Sequence, residues 1–184
     1  MGQIVRMGET TGQNPECERS THARLIAAHS GEVNTDPRDK SHGRYIGAQA
    51  HTNNTGELTA LHLALTRALA RPAGRGKEDI WSDSLYAINM TNGMWTQKRK
   101  RNREIIARTR ALWRRLIRQR PGEVRLRHVR SHIRVPGNEL ADWLAEVGRV
   151  TGRGTTAVQA GCWLRRWMAS PPNTNTIGDP AGVG

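Results

Sequence analysis

The chain has only two cysteines in 184 residues, Cys17 and Cys162, far apart and with no CxxC or Cys/His spacing around them. A zinc site and a disulfide framework are therefore unsupported, and free thiols in a reducing compartment are expected. No apolar run approaches the roughly 20 residues that cross a bilayer, and no secretory signal is visible at the start. Arg6 stands where a myristoylation signal wants Ser or Thr. There are no internal repeats. These absences lead us to expect a soluble intracellular protein, cytoplasmic or nuclear, with no membrane partner. The length suits one domain plus tails, taken as a monomer.

Acidic residues are scarce as well. Lys and Arg number 29 against 16 Asp and Glu, a net charge of +13 with a pI near 11.3. The imbalance is local: from Lys98 to Arg120 eleven cations face one acid, Glu104. A solvated helix face usually carries both signs, and this one does not. A phosphate backbone rewards dense cation placement through counterion release, so nucleic acid is the natural partner.

Periodicity divides the chain. Gln3–Met7 and Ala23–Ala28 read as short strands, with polar, turn-like sequence around Asn14-Pro15 and Asp36-Pro37. Tyr45–Ala50, YIGAQA, reads as a third strand. Thr52, Asn53, Asn54 and Thr55 form a cap, after which Leu58, Leu61, Leu65 and Leu69 share one helical stripe. His62 in that helix is an ordinary side chain. Ile80–Asp83 is a short strand that delivers Asp83 at its end, and Ser84 opens a short helix. Within Thr96–Arg120, Ile105, Thr109, Leu112 and Leu116 repeat at helical spacing, burying one face and leaving arginine on the other. Trp95, just upstream, reads as a partly buried structural tryptophan, with stacking on a sugar or base as the alternative. Glu123–Val129 alternates as a strand. Pro136 and Gly137 then break the chain, Asn138 can cap, and Leu140, Ala141, Leu144 and Ala145 recur at helical spacing. This puts His132 on a loop and Asp142 in the first turns of a helix. Beyond Gly148 the composition turns to Gly, Thr and Pro, interrupted by an amphipathic piece, Val158–Met168.

Three blocks carry chemistry: TNNTGEL with Glu57, WSDSLY with Asp83, and VRSHIRVPGNELADWLA with His132 and Asp142. A carboxylate at a helix start or strand end is unremarkable alone. In this order and spacing the blocks resemble type 1 ribonuclease H over residues 42–147. The resemblance implies an α/β fold, a ribonuclease H-like mixed five-stranded sheet flanked by helices, with three antiparallel strands first. It implies a core at 42–148, a divergent N-terminal part at 1–41 and a flexible tail at 149–184.

By that resemblance Glu57, Asp83 and Asp142 are metal ligands for Mg2+ or Mn2+, and His132 assists proton transfer or product release. Asn53, Asn54, Ser84 and Asn138 are expected against nucleic acid, with Lys98, Arg99, Lys100 and Arg101 forming a basic protrusion that grips it. The substrate implied is an RNA–DNA hybrid, read by shape and by 2′-hydroxyls, with the RNA strand cleaved at internal sites. Leu85 departs from the Gln that some bacterial members carry. The family's first-strand Asp has no counterpart, and Glu9, in MGETTGQNP, is the nearest substitute. Two readings stay open: a metal-dependent hybrid endonuclease and a catalytically impaired nucleic-acid-binding module; descent from a retroelement would explain both the strong middle of the resemblance and its poor beginning. A purely RNA-binding protein with structural carboxylates would not need all three blocks.

Overall fold

The computed structural model describes residues 2–8, 24–31, 33–38, 45–96, 101–131, 134–151 and 157–170. The chain order is β1 (Gly2–Gly8), β2 (Arg24–Gly31), α1 (Asn53–Leu69), β3 (Glu78–Ser82), α2 (Leu85–Asn92), α3 (Arg103–Gln119), β4 (Val124–His128), α4 (Pro136–Thr151) and α5 (Ala157–Ala169).

The strands pair as two two-stranded sheets among the described residues, where a single five-stranded sheet was expected. β1 and β2 are antiparallel, running from Gly2 opposite Gly31 to Gly8 opposite Arg24, with a register shift between Arg6 and Met7. β3 and β4 are parallel, Glu78 opposite Val124 through Ser82 opposite His128. β1 lies against α1 and α4.

The strand expected at Tyr45–Ala50 is not formed. Tyr45, Ile46 and Ala48 are buried as a strand's would be, but the backbone is committed elsewhere. Gly47 takes φ +98°, and a Cβ there would stand 2.6 Å from Glu104 Cγ and 2.7 Å from the Ile105 nitrogen. The segment is pressed onto the first turn of α3. Tyr45 donates its hydroxyl to Glu104, Arg108 donates to the Tyr45 carbonyl, and the Asn102 amide donates to the Gln49 side chain. Backbone and side chains thus serve α3 instead of a sheet ladder.

α1 begins with a reciprocal cap between Thr52 and Thr55 and buries Leu58, Leu61, Leu65 and Ala68. Each fully buried leucine contributes about 1.5–3 kcal/mol. α3 packs beside α1 through Ile105, Ile106 and Leu116. His62 Nδ1 and Thr109 Oγ1 meet at 3.2 Å midway along the pair. Burial holds His62 down to about 4, so it is neutral at physiological pH, consistent with an ordinary side chain. Arg120, at the C-terminal end of α3, is 2 % exposed; it pairs with Glu78 and Glu123 and donates to the Ala68 and Gly76 carbonyls. Gly47 meets the start of α3 and Arg120 meets the end of α1, so the two helices run parallel.

A second, smaller core joins Ala28, Leu140, Leu144, Ala160 and Leu164, flanked by Trp143, Trp163 and Trp167. This bears on the segment expected to be a flexible tail. Residues 149–151 complete α4, and α5 packs its apolar face on α4 and β2. Residues 152–156 and 171–184 lie outside the described residues. Among the described residues no helix is long and apolar enough to cross a membrane.

Candidate active site

Three elements bring their ends to one place. Glu57 is the fifth residue of α1, held by the Thr52 cap one turn before it. Asp83 follows the last residue of β3 and precedes Ser84, whose hydroxyl accepts from the Ala87 amide and so caps α2. A strand end followed at once by a helix N-terminus leaves the intervening side chain at the rim of the sheet. Asp142 is the seventh residue of α4.

The three carboxylates lie within electrostatic reach of one another. The Glu57 carboxyl is pushed up to about 7, first by burial and then by the negative charges of Asp83 and Asp142. The loop before α4 reaches the same place: Ser131 Oγ donates to Asp83 Oδ2 at 2.9 Å. A groove of about 250 Å3 opens beside Glu57, lined by His51, Thr52, Asn53, Ala145, Glu146 and Arg149. Glu146 sits one turn past Asp142 on α4, and Arg149 holds its carboxyl below the usual range by a two-pronged hydrogen bond.

Glu57, Asp83 and Asp142 offer hard oxygens, the donor type that suits Mg2+ or Mn2+. Among the described residues, no group of three or more His, Cys, Asp or Glu stands close enough to hold a metal ion. The two observations fit one arrangement. The carboxylates are near enough for Asp83 and Asp142 to raise Glu57, while the three together do not stand close enough to hold one ion. Burial first, and then Asp83 and Asp142, disfavour the ionised Glu57, and a divalent cation among the three would offset both, so the donor set fits such an ion.

A family model described as RNase H matches residues 16–149. The chain belongs to the RNase H family. No curated protein and no solved structure matches it. Membership brings a ribonuclease H-like nuclease and nucleic-acid-binding function with it. The RNase H match encloses Glu57, Asp83, His132 and Asp142, starts after β1 and Glu9, and ends before α5.

Within this RNase H domain the other expected residues are placed unevenly. Asn53 and Asn54 are exposed at the start of α1, and Asn53 lines the groove. The Ser84 hydroxyl is occupied as the α2 cap. Asn138 is not the cap of α4. That helix begins at Pro136, whose fixed φ and missing N–H suit the first turn, and Asn138 is its third residue. The Asn138 amide N–H donates to the Val135 carbonyl, and its buried Nδ2 has no hydrogen-bond partner among the described residues. Arg101 is exposed. Trp95, expected to be partly buried, is 46 % exposed. His132, Lys98, Arg99, Lys100 and Glu9 lie outside the described residues.

Ser131, Glu146 and Arg149 were not singled out by the sequence. Glu146 had a usable signal, since a residue four past Asp142 on a helix shares its face. Ser131 had none beyond its position beside His132.

Proposed function

We propose that the protein is a divalent-metal-dependent endonuclease that hydrolyses the RNA strand of RNA–DNA hybrids. The observation that carries this reading is the meeting of α1, β3 and α4 at one end of the fold, where Asp83 and Asp142 add to burial in raising the Glu57 carboxyl. Repulsion of that kind is maintained where a cation is meant to bind. Glu57, Asp83 and Asp142 would hold Mg2+ or Mn2+. The chemistry a bound ion supplies is activation of water and stabilisation of the leaving oxygen in phosphodiester hydrolysis.

The chain's own groups do the rest. Ser131 holds one oxygen of Asp83 and so limits its rotation. His132, next in sequence, moves protons near the scissile phosphate in this reading. Asn53 and Asn54, exposed beside the groove, meet the sugar edges of the hybrid, with Ser84 and Asn138 beside them. Lys98, Arg99, Lys100 and Arg101 meet phosphates. β1–β2 and β3–β4 would be parts of one five-stranded sheet of the family type.

One observation favours the second reading, a catalytically impaired binding module. Neither β1, GQIVRMG, nor β2, RLIAAHSG, contains an Asp or Glu. The carboxylate that the family places on its first strand is thus missing from both strands of that sheet. Losing a carboxylate that would contact the ions weakens their binding and slows hydrolysis.

Cleavage of a labelled RNA–DNA hybrid with Mg2+ or Mn2+ decides between the two readings. The assay compares wild type with Asp83→Asn and Glu9→Gln. Cutting by wild type that is lost in Asp83→Asn supports the enzyme, and loss in Glu9→Gln makes Glu9 the substitute for the absent Asp. Salt-dependent binding of the hybrid without cleavage supports the binding module.

A further inference from the structure

We propose that the outer face of α3 is a second nucleic-acid contact, a track of arginines for a phosphate backbone that leads away from the carboxylate end. The observation is the way α3 uses its charges. Arg108 is tied to Glu104, the helix's one acid, and Arg110 donates to the Met90 and Trp95 carbonyls. Arg103, Arg114, Arg115 and Arg118 are exposed, and none of the four has an ion pair or hydrogen bond among the described residues.

Their placement follows from helical geometry. Ile105, Ile106, Thr109 and Leu116 are buried, and the four free arginines fall on the opposite side. The exposed residues between them on that face are Ala107 and Ala111, which leave the guanidinium groups unobstructed. At about 1.5 Å per residue, Arg103 lies roughly 16 Å along the axis from Arg114 and roughly 22 Å from Arg118. α3 runs parallel to α1, so Arg103 is at the Glu57 end and Arg118 at the far end.

The chemistry of the face selects its partner. An anionic membrane surface would require several large apolar side chains beside the cations, and on α3 only Ile117 is exposed, since Ile105, Ile106, Leu112, Trp113 and Leu116 serve the core. Guanidinium forks match phosphate oxygens in paired hydrogen bonds, and a regular polyanion engages several arginines spaced along one stripe. The inference does not depend on hydrolysis: a module that binds and never cuts would use the face in the same way.

The test measures binding of a fluorescently labelled RNA–DNA hybrid by anisotropy, in EDTA so that nothing is cleaved, as KCl is raised. Arg114→Gln/Arg118→Gln is compared with Arg165→Gln/Arg166→Gln, which removes the same charge from exposed positions on α5. The α3 pair should weaken binding by about tenfold. It should also reduce the slope of log affinity against log salt by about 2, close to one unit per lost phosphate contact. The α5 pair should leave the slope near wild type. Helical dichroism and melting temperature should not move in either, because glutamine keeps helix propensity at an exposed site. Equal effects of the two pairs would reduce the face to bulk charge and overturn the proposal. So would an α3 pair that binds the hybrid like wild type. A loss of polyglutamate binding with hybrid binding intact would also overturn it, pointing to an acidic protein. Absence of hydrolysis in a separate Mg2+ assay bears only on the enzyme reading.

Discussion

Ser131 Oγ donates to Asp83 Oδ2 at 2.9 Å, joining the loop before α4 to the end of β3 across 48 positions of sequence. A hydrogen bond from a neutral hydroxyl to a carboxylate fixes the acceptor's rotation, and groups that orient a metal ligand tune its affinity. Ser131→Ala should weaken Mg2+ binding by about tenfold, and Ser131→Thr should keep most of it. The exposed setting keeps the effect on folding small, so the melting temperature of the metal-free protein should move little. Calorimetric titration with Mg2+ beside thermal denaturation reads both. Wild-type Mg2+ affinity in Ser131→Ala would remove the positioning role.

Glu57 predicts a dependence of stability on pH. Its folded value, about 7, lies above its ordinary 4.5, raised by burial and then by Asp83 and Asp142. The folded state therefore holds the proton more tightly than the unfolded state. Stability falls as pH rises from about 4.5 through about 7, and the penalty is complete above that. Glu57→Gln removes the titration. The metal-free variant should match wild type near pH 4.5 and exceed it by about 1–3 kcal/mol at pH 8. Mg2+ should restore wild type at pH 8 more than it helps the variant. Urea denaturation across this range in EDTA checks the trend, and a constant difference between the two proteins would contradict it.

What the sequence revealed depended on how local the signal was. α1, α3 and β4 announce themselves because a helical stripe or an alternating strand is written within one segment, as in Leu58, Leu61 and Leu65. Asp83 at a strand end and Asp142 in an early helical turn followed from the same local patterns. Tyr45–Ala50 misled because its apolar content imitates a strand while its backbone conformation is set by α3, more than fifty residues later. Pro136 read as a breaker although proline also starts helices, and the two uses look alike in sequence. The Ser131–Asp83 contact, the pairing of β1 with β2 and of β3 with β4, and the docking of α5 rest on partners far away in the chain, for which no period exists.

Gly47 is where that non-local demand is sharpest. Its φ of +98° is open to glycine and strained for other residues. An added Cβ would meet the Ile105 backbone nitrogen at 2.7 Å, and a helix backbone cannot yield as a side-chain end can. Gly47→Ala should cost about 2–4 kcal/mol, lowering the melting temperature by on the order of 10 °C. Scanning calorimetry suffices to measure it. A change of only a degree or two would mean that the close approach to α3 is not tight in solution.

α5 makes the last prediction, because it stands outside the matched RNase H region and still shares a core with it. Trp143 and Trp163 stack with ring centroids 5.2 Å apart, and Trp163 stacks in turn on Trp167 at 6.1 Å. Arg134 lies over Trp167 at 4.8 Å and donates to the Ser170 carbonyl. The tower therefore couples α5 both to α4, which carries Asp142, and to the segment that leads into α4. Trp163 is the middle ring, so Trp163→Ala separates the other two. It should cost about 2–4 kcal/mol, with Trp163→Phe keeping roughly half. The loss should be local. Amide protection over residues 157–169 should disappear while α1 and α3 stay protected, and the near-ultraviolet dichroism of the stacked indoles should collapse. If α5 were loosely attached, protection over 157–169 would already be low in wild type and the substitution would leave it unchanged.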